Sequence, residues 1–327
     1  MLLAAGAPLV SSNDPATQYR DLVLAPPMPL RFVDDEGRWR GPFFYPLRLA
    51  DRLERGYVED RSRPIPLRLF HAGHLLAPVQ PDEGPWLPLG ADRLGRDVWS
   101  RLLFGARRSL GVAFAACAGA LLLGVAAGLV AGYAKGAVDT LLMRLAEAVL
   151  VLPVLYVVLA ARATLPLTLD PVTTFLLVTT VLALLGWPVV ARGVRAIVAR
   201  EAALDYAVAA RALGAGPGRI VARHLAPAAA GFVRVQALQL LPAAILAETT
   251  LSYAGLGFGP TAPSWGTLLS EASDIRAIAD RPWLLSAAAA IVLVVLAVNL
   301  ATLAGTGSAP ADLPLVGRDP QTGRADR

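Results

Sequence analysis

The sequence is short of the groups that metal proteins and most enzymes depend on. It has one cysteine, Cys117, and three histidines in 327 residues. A lone cysteine cannot close an internal disulfide or build a cysteine metal site. Cys117 also sits inside an apolar run, so it says nothing about compartment. Charge is scarce too: Asp, Glu, Lys and Arg make up 17% of the chain, against about 25% in soluble domains. There is no Gly-x-x-x-x-Gly-Lys-Ser/Thr loop to cradle a nucleotide. No catalytic triad or pair of buried carboxylates is legible. The expectation is a chain that binds no ATP, holds no metal and breaks no bond.

What is present is apolar length. Hydrophobic residues are 55% of the chain and the mean hydropathy is +0.54. Surface-to-volume scaling limits how much apolar material one soluble core can hide. A second solvent is implied, and the bilayer supplies it. The net charge of +5 does not read as a nucleic-acid surface, because the basic residues lie between apolar blocks and not on one patch.

The ends and the middle differ in texture. Met1–Val10 is apolar but about half the ~20 residues of a span. It lacks a basic start and a cleavage motif, so it reads as the remnant of a truncated first helix. Residues 11–106 read as a polar extracytoplasmic segment rich in proline, arginine and aspartate. Pro26-Pro27, Pro64 and Pro66 favour extended chain, and opposite charges alternate between Arg31 and Arg63. A small polar layer or long ordered loop fits this composition; a partly disordered segment is the alternative.

Five apolar blocks then follow in residues 107–304: Ser109–Ala134, Leu141–Ala161, Pro171–Val190, Ala228–Tyr253 and Pro282–Ala304. Each is near the length of a spanning helix. They must be helices, because an open strand in lipid leaves its backbone groups unpaired. The fold class expected is an all-α membrane protein with five clear spans. Gly124, Gly128 and Gly132 fall on one face of the first block, which favours close helix packing over a ligand role. Pro153 should kink the second block, and Arg144 and Glu147, three apart, should pair. Trp99, Trp265 and Trp283 read as interfacial anchors. Glu248 either lines a pathway or is solvated near the outer face.

The segment Arg192–Arg223 carries six arginines against Glu201 and Asp205. By the positive-inside rule it is cytoplasmic, with the Lys135–Asp139 turn and the tail 305–327 on the same side. Its inner part reads as helix, turn, helix. Tyr206–Leu213 is helix-forming, Gly214 can stop it in a left-handed cap, Arg219–Leu225 is a second short helix, and Pro227 opens the next span. A basic, small-faced hairpin of this kind suits docking into a groove on another protein.

This stretch resembles the coupling loop, called the EAA loop, of bacterial ABC importer permeases. Val208-Ala209-Ala210, Gly214 and His224-Leu225-Ala226-Pro227 match its two alanines, glycine, proline and both gaps. Val208 stands where the family has glutamate. Ala-Ala-Arg-Ala-Leu-Gly-Ala and Arg-His-x-x-Pro resemble the peptide-type branch. The stretch from Gly90 to Leu110 is similar to the segment before the second helix in dipeptide, oligopeptide and nickel permeases, with Ala91 in place of threonine. Leu246 to Gly259, followed by Pro263-Ser-Trp-Gly266, is similar to the outer end of the fifth helix and the loop after it.

The resemblance covers about 200 residues, Gly90 to Asn299. It implies the type I ABC importer transmembrane fold, of six spans, in the bacterial inner membrane. It implies a second permease subunit, two ABC ATPase subunits that hold ATP and Mg, and an extracytoplasmic solute-binding protein. It places the ATPase contact on residues 192–227, with Ala209, Ala210, Arg211, Gly214, Arg219, His224 and Pro227 as coupling residues. Asp92, Arg96, Asp97, Glu248 and Trp265 are candidates for the outer mouth or pathway, the first three as a salt-linked cap or as plain solvated charges. His224 reads as a structural residue at the docking helix end, and His71 and His74 are not expected to hold a metal. A stand-alone secondary transporter is the alternative from another class; it usually carries acidic groups at mid-membrane, and here they sit near span ends.

Overall fold

The computed structural model describes residues 6–306, apart from 52–54, 72, 80–83, 165, 167–168 and 274–279. It has two parts, a helical bundle and a strand-rich layer at one end of it. A four-residue helix, α1 (Ala7–Val10), comes first. Six strands follow: β1 (Arg31–Val33), β2 (Trp39–Phe44), β3 (Leu47–Asp51), β4 (Gly56–Glu59), β5 (Ile65–His71) and β6 (His74–Pro78). Four form an antiparallel sheet in the order β1-β2-β5-β6, and β3-β4 is a separate hairpin. Along β5, Ile65 and Leu67 turn inward while Pro66 and Arg68 face out, the two-residue period of a strand. With Leu22, Ala25, Met28, Phe44, Leu87 and Ala91 they form a small core of their own.

The described part of the polar segment is therefore an ordered layer. Its alternating charges meet across the turns, as in Arg31–Glu59 at 3.0 Å and Arg40–Asp34 at 2.7 Å. Exposed pairs of this kind contribute roughly 0.2–1 kcal/mol each at best, so the small core carries the layer. The layer ends earlier than the expected residue 106. Helix α2 (Val98–Ala134) begins straight after Asp97, whose carboxylate accepts the Trp99 N–H at 3.0 Å as an N-cap.

The 37 residues of α2 make about 55 Å of helix, more than the ~30 Å hydrocarbon core. The second expected span is broken. Helices α3 (Gly136–Val151) and α4 (Val154–Ala163) meet at 85° across Leu152-Pro153. Pro153 lacks an N–H and forces the residue before it into extended backbone; Leu152 accordingly has ψ 118°. Helix α5 (Pro171–Glu201) continues well past the expected end at Val190. Arg192, Arg195 and Arg200 therefore sit on its last turns and not in a loop. Arg195 Nε donates to Asp139 on α3 at 2.9 Å, tying the inner ends of the two helices together. Arg144 and Glu147 pair at 3.9 Å on the exposed face of α3.

The remaining elements are α6 (Asp205–Ala212), α7 (Pro217–Ile220), a π turn (Val221–Leu225), α8 (Ala226–Tyr253), α9 (Trp265–Glu271), a 3-10 turn (Pro282–Leu285) and α10 (Ser286–Thr306). Four helical stretches are long and apolar enough to cross a membrane: Val98–Ala134, Pro171–Glu201, Pro217–Tyr253 and Pro282–Leu303. The broken α3–α4 pair makes a fifth when counted as one span. Naming the ends by the positive-inside expectation, the strand layer, α9 and the start of α10 lie at the outer end, and α6 and α7 at the inner end.

Helices α2 and α5 form the tightest contact, along the glycine face. A Cβ on Gly124, Gly128 or Gly132 would come within 2.5–2.8 Å of Val190, Val194 and Val198 or of the adjoining α5 backbone. The small residues are there for packing. Gly128→Val forces the helices apart and should cost about 1–3 kcal/mol. Thermal unfolding of the purified chain in detergent should show a lowered midpoint; an unchanged midpoint would mean the helices do not meet along this face.

Candidate functional site

At the inner end, the sequence between α5 and α8 folds into a compact knuckle. Helix α6 covers the expected Tyr206–Leu213 within a residue at each end. Gly214 follows it at φ +80°, the left-handed region that glycine enters without penalty. The second short helix is not separate from the next span. Residues from Pro217 run through the π turn into α8 as one stretch ending at Tyr253. The Ala226 N–H donates five residues back to Val221, and Pro227 needs no partner of its own, so the wide turn takes up the proline without a break. Pro227 lies in the first turn of α8, where its missing N–H does no harm.

Arg211 anchors the knuckle. Its guanidinium donates to the Ala202 carbonyl at the end of α5 and to the Ala207 carbonyl at 3.3 Å. Tyr206 donates its hydroxyl to Glu201 at 2.9 Å and packs its ring 5.7 Å from that of His224, which gives His224 a structural place. Ala207, Ile220 and Leu225 are buried beneath. Above them lies an exposed surface of Val208, Ala209, Leu213, Gly214 and Arg219, with Ala210 half-buried. Leu213 is 88% exposed at the tip. Arg219 and Arg223 make no ion pair among the described residues. The surface is apolar at its tip and cationic at its edge.

At the outer end, the structure gathers charges that sequence reasoning left open. Asp92, Arg96 and Asp97 are buried, so they are not solvated charges. Asp92 accepts from Arg96 Nε at 2.7 Å and from Arg101 Nη1 at 2.7 Å. Both arginines reach Glu271 at the end of α9, at 3.0 Å and 2.9 Å. Arg101 is 1% exposed. Asp92 and the two guanidiniums are thus buried together, with Glu271 half-buried at the edge of the cluster. Arg96 also donates to the Pro260 carbonyl at 3.1 Å, and Arg108 to that of Pro263 at 3.0 Å. The loop after α8 is thereby stitched to the start of α2. Asp97 stands beside the cluster, accepting from Asn13 at 2.9 Å.

Two other expectations change here. Glu248 is fully buried within the chain, so it neither meets water nor lines an open path. It accepts from Ser252 at 2.8 Å. Trp265 is a core residue and not an interfacial anchor. Its backbone N–H donates to Ser109 at 3.0 Å and its indole to the Leu102 carbonyl at 3.2 Å. Position near a span end is what misled the reading: the loop after α8 folds back over that end and covers both residues. Between the spans, Ala116, Ala120, Val154, Leu182, Gly186 and Ala247 are among the residues lining an apolar cavity of about 260 Å³. It opens beside the break at Pro153.

No group of three His, Cys, Asp or Glu suited to a metal occurs among the described residues. His71 and His74 are paired across the β5–β6 turn. The residues that sequence reasoning missed are Arg101 and Glu271. Arg101 stands within the stretch from Gly90 to Leu110, five residues beyond Arg96, and could have been grouped with it. Glu271 carries no local signal, because its partners lie about 170 residues away.

Removing one member strands the rest. Arg101→Met leaves the buried Asp92 and the half-buried Glu271 facing one guanidinium and should cost about 3–5 kcal/mol, read as a lowered unfolding midpoint. A pH dependence accompanies it. Burial pushes the Glu271 carboxyl up to about 7 against the pull of Arg96, and pushes Asp97 up to about 6. In the unfolded chain such groups release their protons near ~4. The native state therefore binds more protons between about 4 and 7, and its stability falls as pH rises through that window. Glu271→Gln should flatten this slope in thermal scans at stepped pH; an unchanged slope would show that the carboxyl is not held protonated.

Comparison with known proteins agrees with this architecture. A family model described as binding-protein-dependent transport system inner membrane component matches residues 124–305. The chain is 34% identical over 209 residues to the oligopeptide transport system permease protein OppC of Bacillus subtilis, covering 64% of this chain and 65% of that protein. It is 37% identical over 193 residues to the dipeptide transport system permease protein DppC of the same organism, covering 59% and 58%. It is 37% identical over 215 residues to the di/tripeptide transport system permease protein DppC of Pseudomonas aeruginosa, covering 65% and 68%. The match thus spans about three fifths of the length of the first two relatives. With more than half of the chain inside the family model, and apolar spans bracketed by a knuckle at one end and an ion-pair cluster at the other, the protein belongs to the family of binding-protein-dependent transport system inner membrane components.

Proposed function

We propose that this chain is the pore-forming permease subunit of an ATP-driven importer for peptides or a related small solute. The observation that carries the reading is the knuckle at the inner end, with its exposed Leu213 tip, cationic edge and continuous link into α8. A continuous helix that begins inside a docking surface and crosses the bilayer is a lever. Force applied at Gly214–Arg219 reaches the far end of α8, where Glu248 and Ser252 meet the loop that closes over the outer face. The partners are a second permease subunit, two ABC ATPase subunits and an extracytoplasmic solute-binding protein. The ATPases hold ATP and Mg, and this chain supplies no nucleotide site and no catalysis.

Alternating access then follows from the parts. The cavity lined by Ala116, Ala120, Val154, Gly186 and Ala247 is one wall of the path, completed by the second permease. Its small apolar side chains allow passage without tight binding. The break at Pro153 lets α3 and α4 move separately. The outer strand layer and the cluster around Asp92, Arg96 and Asp97 form the cap that faces the binding protein. Peptides are the favoured cargo because relatives named for oligopeptide, dipeptide and glutathione transport are 32–37% identical to this chain over about 200 residues.

Gly214→Arg separates docking from folding. No atom lies within 4 Å of the position where a Cβ would stand, so the arginine fits the subunit with only the strain of a left-handed residue, about 1–2 kcal/mol. Co-purified ATPase should be lost, or hydrolysis should continue without uptake, while the spans stay folded. Uptake by proteoliposomes that hold this chain without an ATPase pair would overturn the reading.

A further inference from the structure

The strand layer presents an apolar face at the end of the β5–β6 hairpin that neither its own core nor the bundle uses. At the tip of the β5–β6 hairpin, Leu69, Phe70 and Leu75 are exposed, and Leu9 of α1 stands beside them. Leu9, Phe70, Gly73, His74 and Leu75 line a shallow cavity of about 190 Å³. His74 Nδ1 lies 2.9 Å from the Pro8 carbonyl, so α1 and the hairpin form a single surface. Phe70 is 83% exposed at φ +53°. A bulky side chain in the left-handed region is an outlier, and a strained position that holds an aromatic ring outward points to a use for it.

Placement and charge say what covers this face. Helix α1 packs against α2, and Asn13, just beyond it, bonds the Asp97 cap of α2. The face therefore lies beside the first turns of α2. A few residues further along, Ala106 and Leu110 of α2 pack on Ala287 and Ile291 at the start of α10, where the apolar span begins. The chain enters α1 from the apolar run Met1–Gly6. From Arg61 to Pro81 there is no acidic residue. Arg68 is exposed beside the tip and makes no ion pair among the described residues. Leu and Phe side chains with a long arginine at their margin are the composition that a headgroup layer takes up, and a guanidinium is suited to a lipid phosphate.

We propose that this face is a lipid-contact surface, with Phe70, Leu69, Leu75 and Leu9 in the acyl boundary of the outer leaflet and Arg68 on lipid phosphates. The strand layer would then be held down on the membrane at a second place, apart from its covalent link to α2. The inference does not depend on the transported solute or on ATP coupling.

A nitroxide probe tests it in the full chain, assembled with its partner subunits in nanodiscs of phosphatidylethanolamine and phosphatidylglycerol. Phe70→Cys and Leu75→Cys are labelled separately in a Cys117→Ala background, with Arg48→Cys on β3 as the aqueous control. Both tip labels should collide with dissolved oxygen more often than with a water-soluble nickel chelate, and the control should do the reverse. Tip labels that favour the chelate would overturn the proposal, because the face would be in water. Labels shielded from both reagents would also overturn it, because another protein would be covering the face. Two independent tip positions keep the test valid if one variant fails to assemble.

Discussion

The cluster of Asp92, Arg96, Arg101 and Glu271 is what joins the parts of this protein to each other. Burying Asp92 and two guanidiniums is expensive, and only close charged hydrogen bonds, among themselves and to the half-buried Glu271, offset it. The distances of 2.7–3.0 Å among them meet that condition. The four residues come from the loop before α2, the first turn of α2 and the end of α9. When they meet, the strand layer, the longest span and the segment after α8 share one rigid point. Arg96 and Arg108 then extend the hold to the carbonyls of Pro260 and Pro263. The covering of Glu248 and Trp265 is a consequence, because the segment that covers them is held by this clasp.

The inner end is built on the opposite principle. There the chain leaves its surface open, with Leu213 at the tip and Arg219 and Arg223 without an ion pair among the described residues, while only a few residues beneath are buried. Arg211 holds α6 to the end of α5 through backbone carbonyls and not through an ion pair. The knuckle is thus a fixed shape with an unsatisfied face. Helix α8 connects the two ends without a break, since the π turn before Pro227 widens the helix where a proline would otherwise interrupt its ladder. The close glycine contacts between α2 and α5 make the other half of the bundle stiff. Between these stiff parts lies the break at Pro153, where bending costs no further hydrogen bond.

Much of this was legible in the chain before any coordinates. Apolar length located the spans, because each block had to satisfy its backbone inside lipid and only a helix does so locally. The glycine stripe announced a close contact, and Gly214 announced a left-handed turn. Boundaries were less legible. Helix α2 starts eleven residues before the apolar block and α5 ends eleven residues after its own, because charged turns beyond the hydrocarbon continue a helix without adding apolar signal. Pro153 indicated a bend, but its size of 85° depends on where α4 finds packing. The strand layer was visible only as a change of composition, since its strands are short and irregular in their alternation, and one pairing, β2 with β5, skips the β3–β4 hairpin.

Taken by itself, the order of residues determined the membrane environment, the helical character of the spans and the shape of the turn at Gly214. These follow from composition, periodicity and local backbone preference, which act within a few residues. Only the tertiary structure decided that Arg101 and Glu271 complete the outer cluster, that Glu248 and Trp265 are enclosed, and that Phe70 stands exposed beside Leu9. Those facts depend on residues far apart in the chain being brought together, and on the depth of cover that results, and neither is encoded in any local pattern.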